Sequence, residues 1–355
     1  MKPAPRLEID LSKIYHNAHT LVKRLAGLGI SVTGVTKATL GSPEIAAVLL
    51  KAGISSLGDS RIENIEAMRQ TLPSVSMTLI RSPMLSQVRR VVKHADISLN
   101  SEMEVIRKLS LEAQKADRTH GVLLMVELGD LREGILPADL IDCVAETLSL
   151  PNIAFKGIGT NLACRSGVSP DTSNMSLLSD LAETIELKFG QTVEIVSGGN
   201  SANIEWAFSH TDTGRINNLR LGESILLGCE PLNRTPINGL HTDAITLIAE
   251  VIESKIKPSQ PSGQIAQSAF GEKPIAADRG HIMQSILAVG IQDIDPDGLQ
   301  SSDGTRILGA SSDHLIVESV RGDLSVGADI TFQLNYSVLV RAMTSPFVSK
   351  KLKPY

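Results

Sequence analysis

The stretch that decides the fold is Ser31-Val32-Thr33-Gly34-Val35-Thr36-Lys37, a short apolar run that ends in a lysine. Its length and its β-branched residues predict a buried strand. A lone ammonium at the carboxyl end of such a strand is costly unless it reaches a polar opening. Lys37 is therefore a candidate imine-forming lysine, although many strand-end lysines simply extend to water.

Seven further β-rich runs follow this first strand. They alternate with segments whose apolar residues recur at helical spacing, which predicts parallel βα units. Eight such strands close into a (β/α)8 TIM barrel of the α/β class more readily than they form an open sheet. The predicted strands are residues 31–36, 54–58, 76–81, 95–99, 121–127, 153–159, 193–197 and 218–221. An additional helix, opened by Asp10 or Ser12, is expected before the first strand.

The pattern changes after residue 232. Alternating runs separated by Gly, Asp and Pro predict a small C-terminal antiparallel β domain, with strands at 244–252, 282–289, 315–320 and 330–334. The stretch 255–280 is rich in Pro, Gly and Ser and is expected to be an irregular surface loop. We therefore expect a barrel domain at 1–232 and a β domain at 233–355.

Composition narrows the function classes. The 355 residues include 34 Lys and Arg against 39 Asp and Glu, scattered along the chain, so a nucleic-acid partner is not expected. The sequence has neither a long apolar run nor a signal-like N-terminus, which favours a cytoplasmic protein without a membrane partner. Cys143, Cys164 and Cys229 lack metal-ligand spacing, so neither a metal site nor a disulfide framework is expected.

The loops that follow the strands meet at the carboxyl face of a barrel, where active sites lie. Glycines after the seventh and eighth strands would let backbone N–H groups approach a phosphate. In one loop alone such glycines are explained equally well by tight turns, but two adjacent loops favour an anion site. A phosphate cradle facing a strand-one lysine suggests pyridoxal 5'-phosphate as cofactor. These loops carry Lys37, Arg132, Asn161, Cys164, Ser201, Arg220, Gly222 and Glu223.

Several of these segments match one known family. Val35-Thr36-Lys37-Ala38 resembles the cofactor-lysine motif of the alanine racemase family, the fold type III pyridoxal phosphate enzymes. The segment 127–134 is similar to the family's substrate-arginine motif, and Asn200-Ser201-Ala202 to its phosphate-contacting motif. Arg220-Leu221-Gly222 resembles the segment whose arginine faces the pyridine nitrogen. Further matches at 312–315 and 335–337 extend the resemblance from residue 9 to about 345.

The resemblance implies a role for each matched residue. Lys37 would hold the cofactor and transfer a proton, and Arg132 would help to hold the substrate. It also implies a head-to-tail homodimer in which Asp313 and Tyr336 act across the interface. The longer phrases at 128–134, 196–201 and 308–317 look more like the ornithine racemase branch, which favours a basic amino acid as substrate. The cofactor contacts implied besides Lys37 are Asn161, Ser201, Arg220, Gly222, Glu223 and Tyr336.

One departure from the family pattern concerns the second proton-transfer group. The family's tyrosine from the neighbouring subunit has no counterpart in Gly290-Ile291-Gln292-Asp293. Cys164 is the first replacement candidate, because a thiol can exchange an α-proton, although it could equally be an inert cysteine. Further candidates, each also explained by a structural role, are Asp293, His314 and Tyr336. For a distal substrate ammonium, conceivable partners are Glu133, Glu223 and Asp293.

The leading interpretation is a pyridoxal-phosphate-dependent racemase of ornithine or another basic amino acid. Racemisation of alanine, or of many amino acids, is the first alternative. A decarboxylase or aldolase is disfavoured because related decarboxylases carry an acidic residue where this chain has Arg220. A non-catalytic pyridoxal phosphate carrier is disfavoured by the segment after Asn233, since such carriers generally lack a β domain.

Overall fold

The computed structural model describes residues 4–271, 277–301, 304–319 and 324–355. The chain divides into two compact units. One is Leu11–His241 with Tyr355, and the other combines Thr242–Pro354 with the described residues up to Asp10. This division differs from the expected one in two ways. It falls at residue 241 rather than at 232, and the first strand, β1 (Arg6–Asp10), belongs with the second unit.

The first unit contains a closed barrel of eight parallel strands in chain order, whose first and last strands pair with each other. The TIM-barrel prediction is confirmed, and the ends of every predicted strand agree with the observed ones to within two residues. The strands are β2 (Ser31–Val35), β3 (Ser56–Asp59), β4 (Ser76–Leu79), β5 (Ile97–Asn100), β6 (His120–Met125), β7 (Ile153–Gly159), β8 (Ile195–Ser197) and β9 (Asn218–Leu221).

One helix precedes the first barrel strand, and one helix follows each of the eight strands. The first of them begins directly after Asp10, and its fully buried residues Ile14, Leu21 and Leu25 recur at the spacing that places them on one face. The helices of this unit are α1 (Leu11–Ala26), α2 (Pro43–Lys51), α3 (Ile62–Thr71), α4 (Val88–His94), α5 (Met103–Lys115), α6 (Leu140–Ser149), α7 (Thr172–Phe189), α8 (Asn203–Ser209) and α9 (Glu223–Leu227).

A bulge interrupts β7 and requires a glycine. The register of β7 against β6 shifts between Val122 and Leu123. Gly157 has φ +139°, and a Cβ there would lie 2.0 Å from the carbonyl oxygen of Ile195. Only glycine tolerates this approach without moving the backbone of β8. The bulge thereby keeps β7 paired with β8 up to the strand end, where the polar loop residues begin.

The second unit is a largely antiparallel sheet, as predicted. In the described part of the chain it has eight strands, in the order β12-β15-β10-β11-β14-β13, with β1 pairing β10 and, in parallel, β16. Its further elements are β10 (Ile245–Pro258), β11 (His281–Leu287), β12 (Leu299–Ser301), β13 (Thr305–Ala310), β14 (Leu315–Ser319), β15 (Asp329–Leu334), α10 (Tyr336–Thr344) and β16 (Ser349–Lys353).

The predicted irregular stretch 255–280 is wrong at its start. Strand β10 continues to Pro258, because its far end pairs with β11 down to His281. Residues 272–276 of that stretch, and residue 320 of the predicted strand 315–320, lie outside the described residues. Within the described ranges, no helix is both long and apolar enough to cross a membrane.

Candidate active site

Lys37 stands where β2 ends. A single 3-10 turn, Lys37–Thr39, follows the strand, and the carbonyl oxygen of Thr36 accepts from the N–H groups of Thr39 (3.0 Å) and Gly41 (3.2 Å). Part of the Lys37 side chain is accessible, but protein surrounds its ammonium closely enough that desolvation lowers the pKa of Lys37. More of the free amine is therefore present near neutral pH, as a nucleophile or a general base requires.

Arg220 is a buried cation held by neutral atoms. Its Nη1 donates to Ser197 Oγ (2.5 Å), and its Nη2 to the carbonyl oxygen of Thr160 (2.6 Å) and to Asn161 Oδ1 (3.4 Å). Among the described residues it forms no ion pair. Burial lowers the pKa of Arg220 to about 10, so the guanidinium remains charged at neutral pH. A lone buried charge is unfavourable in itself, which marks a site where a ligand acceptor belongs.

Asn200 connects the loops after β7 and β8. Its Nδ2 donates to the carbonyl oxygen of Leu162 (2.8 Å) and to Asn161 Oδ1 (3.2 Å), and it also lies 3.5 Å from Cys164 Sγ. On the neighbouring side chain, Asn161 Nδ2 is buried without a hydrogen-bond partner among the described residues. Because buried donors are nearly always paired, this nitrogen points to an acceptor that the protein itself does not supply.

The loop after β8 is held in one conformation by Asn203. A Cβ on Gly199, which has φ +147°, would lie 2.1 Å from Asn203 Oδ1, so this position requires glycine. Asn203 Oδ1 also accepts from the N–H of Asn200 (3.1 Å), and its Nδ2 donates to the carbonyl oxygen of Gly198 (2.9 Å). The loop therefore presents Ser201 from a fixed backbone.

Ser201 meets the start of α9. Its Oγ lies 3.0 Å from Ser224 Oγ and accepts from the N–H of Ser224 at 3.2 Å. Gly222 precedes the helix without a side-chain cap and packs against Val35, whose Cβ would lie 3.1 Å from an added Cβ. At the next residue, burial raises the pKa of Glu223 to about 7 despite the nearby Arg234 and Lys37, so this carboxyl is half-protonated near neutral pH.

Arg132 lies on the loop after β6 and holds a carboxylate. Its Nε and Nη2 donate to the two carboxylate oxygens of Glu133. Burial opposes its charge, but Glu133 and the nearby Cys164 outweigh burial and raise the pKa of Arg132 above its usual value. Asp130 then joins this loop to the next one, because its carboxylate accepts from the N–H groups of Cys164 (3.2 Å) and Arg165 (2.9 Å).

Comparisons with known proteins show similarity to racemases over nearly the whole chain. A family model described as alanine racemase, N-terminal domain, matches residues 9–230. An ornithine racemase from Acetoanaerobium sticklandii is 40% identical over 98% of this chain and 99% of its own length. A lysine racemase from Thermotoga maritima is 39% identical over 99% of both chains. The chain belongs to the alanine racemase family. The resemblance seen in the sequence motifs is thereby confirmed.

Solved structures of alanine racemases share the fold. The crystal structure of the enzyme from Streptomyces lavendulae superposes with a TM-score of 0.77 over 100% of this chain and 98% of its own, at 18% identity. A D-threonine aldolase from Filomicrobium marinum reaches 0.75 over 96% and 88%, at 16% identity. At such identities the likeness shows the fold alone, so activity has to be argued from the site.

Two residues expected from the alanine racemase family lie in the second unit. Asp313 is exposed and close to its neighbour His314, whose Nδ1 is 2.9 Å from its carboxylate. Tyr336 is the first residue of α10, which Asn335 caps by accepting from the N–H of Val338 at 3.0 Å. Asp293 is buried, and its carboxylate accepts from Ser345 Oγ at 2.5 Å.

Sequence reasoning missed one group at the barrel mouth, Asp59. This carboxylate closes β3, is fully buried and accepts from Thr36 Oγ1 at 2.7 Å. The available signal was an acidic residue at the end of the second barrel strand, next to the lysine-bearing strand. The predicted strand ends at Gly58, one residue before this carboxylate.

Proposed function

We propose that this chain is a pyridoxal-phosphate-dependent racemase of basic amino acids, with ornithine or lysine as substrate, acting in the cytoplasm as a homodimer. Membership of the alanine racemase family and the two near full-length racemase relatives support the enzyme class. The observation that carries the proposal is the pairing, at one barrel mouth, of Lys37 with a lowered pKa and a buried Arg220 that has no anionic partner in the described chain.

The side chains at this mouth fit pyridoxal phosphate. Lys37 supplies the amine, Ser201 a hydroxyl for the phosphate, and Arg220 a donor for the pyridine nitrogen. Asn161 Nδ2 is a buried donor that lacks an acceptor within the described residues. The backbone at Gly222 and Glu223, where α9 begins, would complete the phosphate contacts. When bound, the cofactor withdraws electrons from the substrate Cα and makes its proton acidic.

Lys37 would transfer the α-proton on one face of the substrate. A group that takes a proton in one direction and returns it in the other needs both of its forms near the working pH. Desolvation lowers the pKa of Lys37 and so increases the fraction of neutral amine near neutral pH. Arg220 contributes by remaining charged, because a cation beside the ring nitrogen disfavours protonation of that nitrogen.

Arg132 would hold the substrate carboxylate. Its planar guanidinium binds a carboxylate through two parallel bonds, as its contact with Glu133 illustrates. Substrate binding would exchange the Glu133 carboxylate for that of the amino acid. The released Glu133 would then be free to face a distal ammonium, which is the feature that separates ornithine and lysine from alanine.

Cys164 is our proposal for the proton-transfer group on the opposite face. It is exposed on the loop after β7, with Asn200 Nδ2 3.5 Å from its sulfur. Arg132 and Lys37 both interact electrostatically with this cysteine. Its rivals already have partners, since Asp293 accepts from Ser345 and His314 lies beside Asp313. In the proposed head-to-tail dimer, Asp313 and Tyr336 would come from the other copy.

The test is chiral chromatography after incubation of the purified chain and pyridoxal phosphate with L-ornithine, L-lysine, L-arginine or L-alanine. We expect D-ornithine or D-lysine to form fastest, and no D-product from a Lys37→Ala variant that retains its circular dichroism spectrum. Fastest formation of D-alanine would contradict the substrate class. Failure to form any D-amino acid would contradict the activity. Light scattering at catalytic concentration tests the dimer.

A further inference from the structure

Asp59 is a buried carboxylate whose two oxygens are both hydrogen-bonded. Oδ2 accepts from Thr36 Oγ1 (2.7 Å), and Oδ1 accepts from the N–H of Arg61 (2.9 Å) and from Asn64 Nδ2 (3.0 Å). Its exposed fraction is 0%. Burial raises the pKa of Asp59 above its ordinary value, and these donors offset that rise only in part. No step described so far uses this group.

Thr36 links Asp59 to the end of the lysine-bearing strand. It is fully buried, and its N–H donates to the carbonyl oxygen of Gly58 at 2.9 Å. Its own carbonyl oxygen accepts the N–H of Thr39, in the turn that begins at Lys37, and the N–H of Gly41 just after that turn. The hydroxyl that reaches Asp59 therefore belongs to the residue that fixes both the strand end and the following turn. A shift of Thr36 would change the direction in which Lys37 projects.

Charged groups of both signs face Lys37. Arg132 on the loop after β6 and Arg220 on β9 oppose its protonated form. Cys164 on the loop after β7 favours that form when it is a thiolate, and so does Glu223 at the start of α9 when it is ionised. Both groups also have other proposed roles, Cys164 in proton transfer and Glu223 in the phosphate contacts. Asp59 on β3 is the fully buried carboxylate of the set, and its charge also favours the protonated form of Lys37.

We propose that Asp59 is a positioning residue for racemisation: through Thr36 it holds the strand end that carries Lys37, and its charge keeps the protonated form of Lys37 accessible. Without this anion, the two neighbouring guanidinium groups would leave Lys37 able to take a proton but slow to return one. The inference rests on the proposed function, because it assigns Lys37 the proton-transfer role.

Three variants of Asp59 and Thr36 distinguish the effect of the Asp59 charge from the effect of the Thr36 hydrogen bond. Asp59→Asn removes the charge and keeps the shape, Thr36→Val removes the hydroxyl link and keeps the charge, and Thr36→Ser restores the hydroxyl. The matched control is Thr147→Val on α6, a fully buried threonine whose Oγ1 donates to the carbonyl oxygen of Cys143 at 2.7 Å. It loses a comparable buried hydrogen bond on a helix outside the barrel mouth.

The first readout is the pKa of Lys37 in the cofactor-free full-length chain, obtained from the pH dependence of its acetylation by mass spectrometry. We expect Asp59→Asn to lower the pKa of Lys37 by about one pH unit, as expected for loss of a neighbouring opposite charge. Thr147→Val should leave this pKa unchanged. Identical titration of Lys37 in the parent and in folded Asp59→Asn would overturn the charge role.

The second readout is kcat and KM for ornithine with pyridoxal phosphate. We expect Asp59→Asn and Thr36→Val each to lower kcat about ten-fold with little change in KM, and Thr36→Ser to recover most of the loss. If Thr36→Val behaves like Thr147→Val, the positioning role is refuted, and this comparison decides that role even if Asp59→Asn fails to fold. Borohydride reduction of the parent with pyridoxal phosphate tests the proposed function separately, because an unlabelled Lys37 would refute that function and leave the titration result intact.

Discussion

Nη1 of Arg220 lies 2.5 Å from Oγ of Ser197, and this hydrogen bond begins a polar chain through the barrel strands. Ser197 Oγ donates in turn to Asn218 Oδ1 (2.7 Å), and Asn218 Nδ2 donates to Thr33 Oγ1 (3.1 Å). Every link is neutral, so the chain orients the guanidinium without cancelling its charge. A buried arginine is usually paired with a carboxylate. The described residues give Arg220 no such partner, which is explained if the uncompensated charge of Arg220 is itself needed for function.

Replacing Arg220 should lower activity while leaving the free energy of unfolding nearly unchanged. We expect Arg220→Gln to lower kcat about 100-fold, the scale for loss of one charge-stabilising donor at a reaction centre. Its free energy of unfolding should change little, because the lost hydrogen bonds are offset by relief of a lone buried charge. Arg215→Gln is the matched control, since Arg215 forms a two-bond pair with Glu186 on a half-exposed surface. The control should keep the parental kcat, and a parental kcat in Arg220→Gln would contradict the assigned role.

The proposed role of Cys164 in proton transfer can be tested separately for each enantiomer of the substrate. In Cys164→Ala, Lys37 should still exchange the α-proton of one enantiomer with solvent deuterium, while exchange from the other enantiomer and net racemisation fall at least about 100-fold. Mass spectrometry of L- and D-ornithine incubated separately in D2O measures both. Cys143→Ala on α6 removes a half-buried thiol outside the barrel-mouth loops and should have no effect. Racemisation by Cys164→Ala at the parental rate would exclude this thiol as the second base.

Local patterns in the sequence were sufficient for the barrel and for most of its mouth. Each barrel strand is a compact apolar run next to an amphipathic segment, and the rule that loops after the strands converge then gathers Lys37, Asn161, Ser201 and Arg220. Strand β1 could not be found in this way. It has only five residues, and its partners β10 and β16 lie more than 230 residues further along the chain. Pairing over such distances leaves no periodic signal near Arg6–Asp10.

The interaction of Asp59 with Thr36 shows a second limit of sequence reasoning. The two residues are 23 positions apart, and their contact depends on the parallel register of β2 and β3. Helix α10 (Tyr336–Thr344) illustrates the same point, because the family motif at 335–337 covers only its capping residue and its first two residues. A motif names a function for a side chain but does not reveal the element that carries it.

The ionisation of Glu223 should make cofactor affinity depend on pH. Its carboxyl, with a pKa raised to about 7 by burial, is mostly neutral at pH 6 and mostly ionised at pH 8. An added negative charge beside the phosphate should raise the dissociation constant of pyridoxal phosphate roughly five-fold over this range. Glu223→Gln should remove that component. Glu194→Gln, which loses a surface pair with Lys156, should retain the parental pH dependence in fluorescence titrations. Equal pH dependence in all three proteins would contradict the assignment.

His120 should make the fold itself sensitive to mild acid. The ring is buried between strands, its Nε2 lies 2.8 Å from Ser98 Oγ, and burial lowers the pKa of His120 to about 4 from the ordinary 6.5. Below pH 6.5 the unfolded chain therefore binds a proton that the folded chain excludes. The stability that the neutral His120 contributes above pH 6.5 is lost as the pH falls toward 4, and this contribution of His120 should fall by about 2 kcal/mol between pH 7.5 and 5.

Two variants isolate this contribution of His120. Urea unfolding at pH 7.5 and pH 5 gives the change in the free energy of unfolding for the parent, for His120→Gln and for His281→Gln, which replaces an exposed histidine of β11. Groups such as Glu223, whose pKa is raised to about 7, contribute equally to all three proteins. On going to pH 5, the parent and His281→Gln should therefore be destabilised by about 2 kcal/mol relative to His120→Gln. The loss of the Ser98 contact in His120→Gln lowers stability equally at both pH values and so cancels in the difference. The window stops at pH 5 because carboxylates such as Glu186, whose pKa is lowered to about 2 by Arg215, weaken the fold only in stronger acid. If His120→Gln lost as much stability as the parent, a different group would have to be the acid-sensitive one.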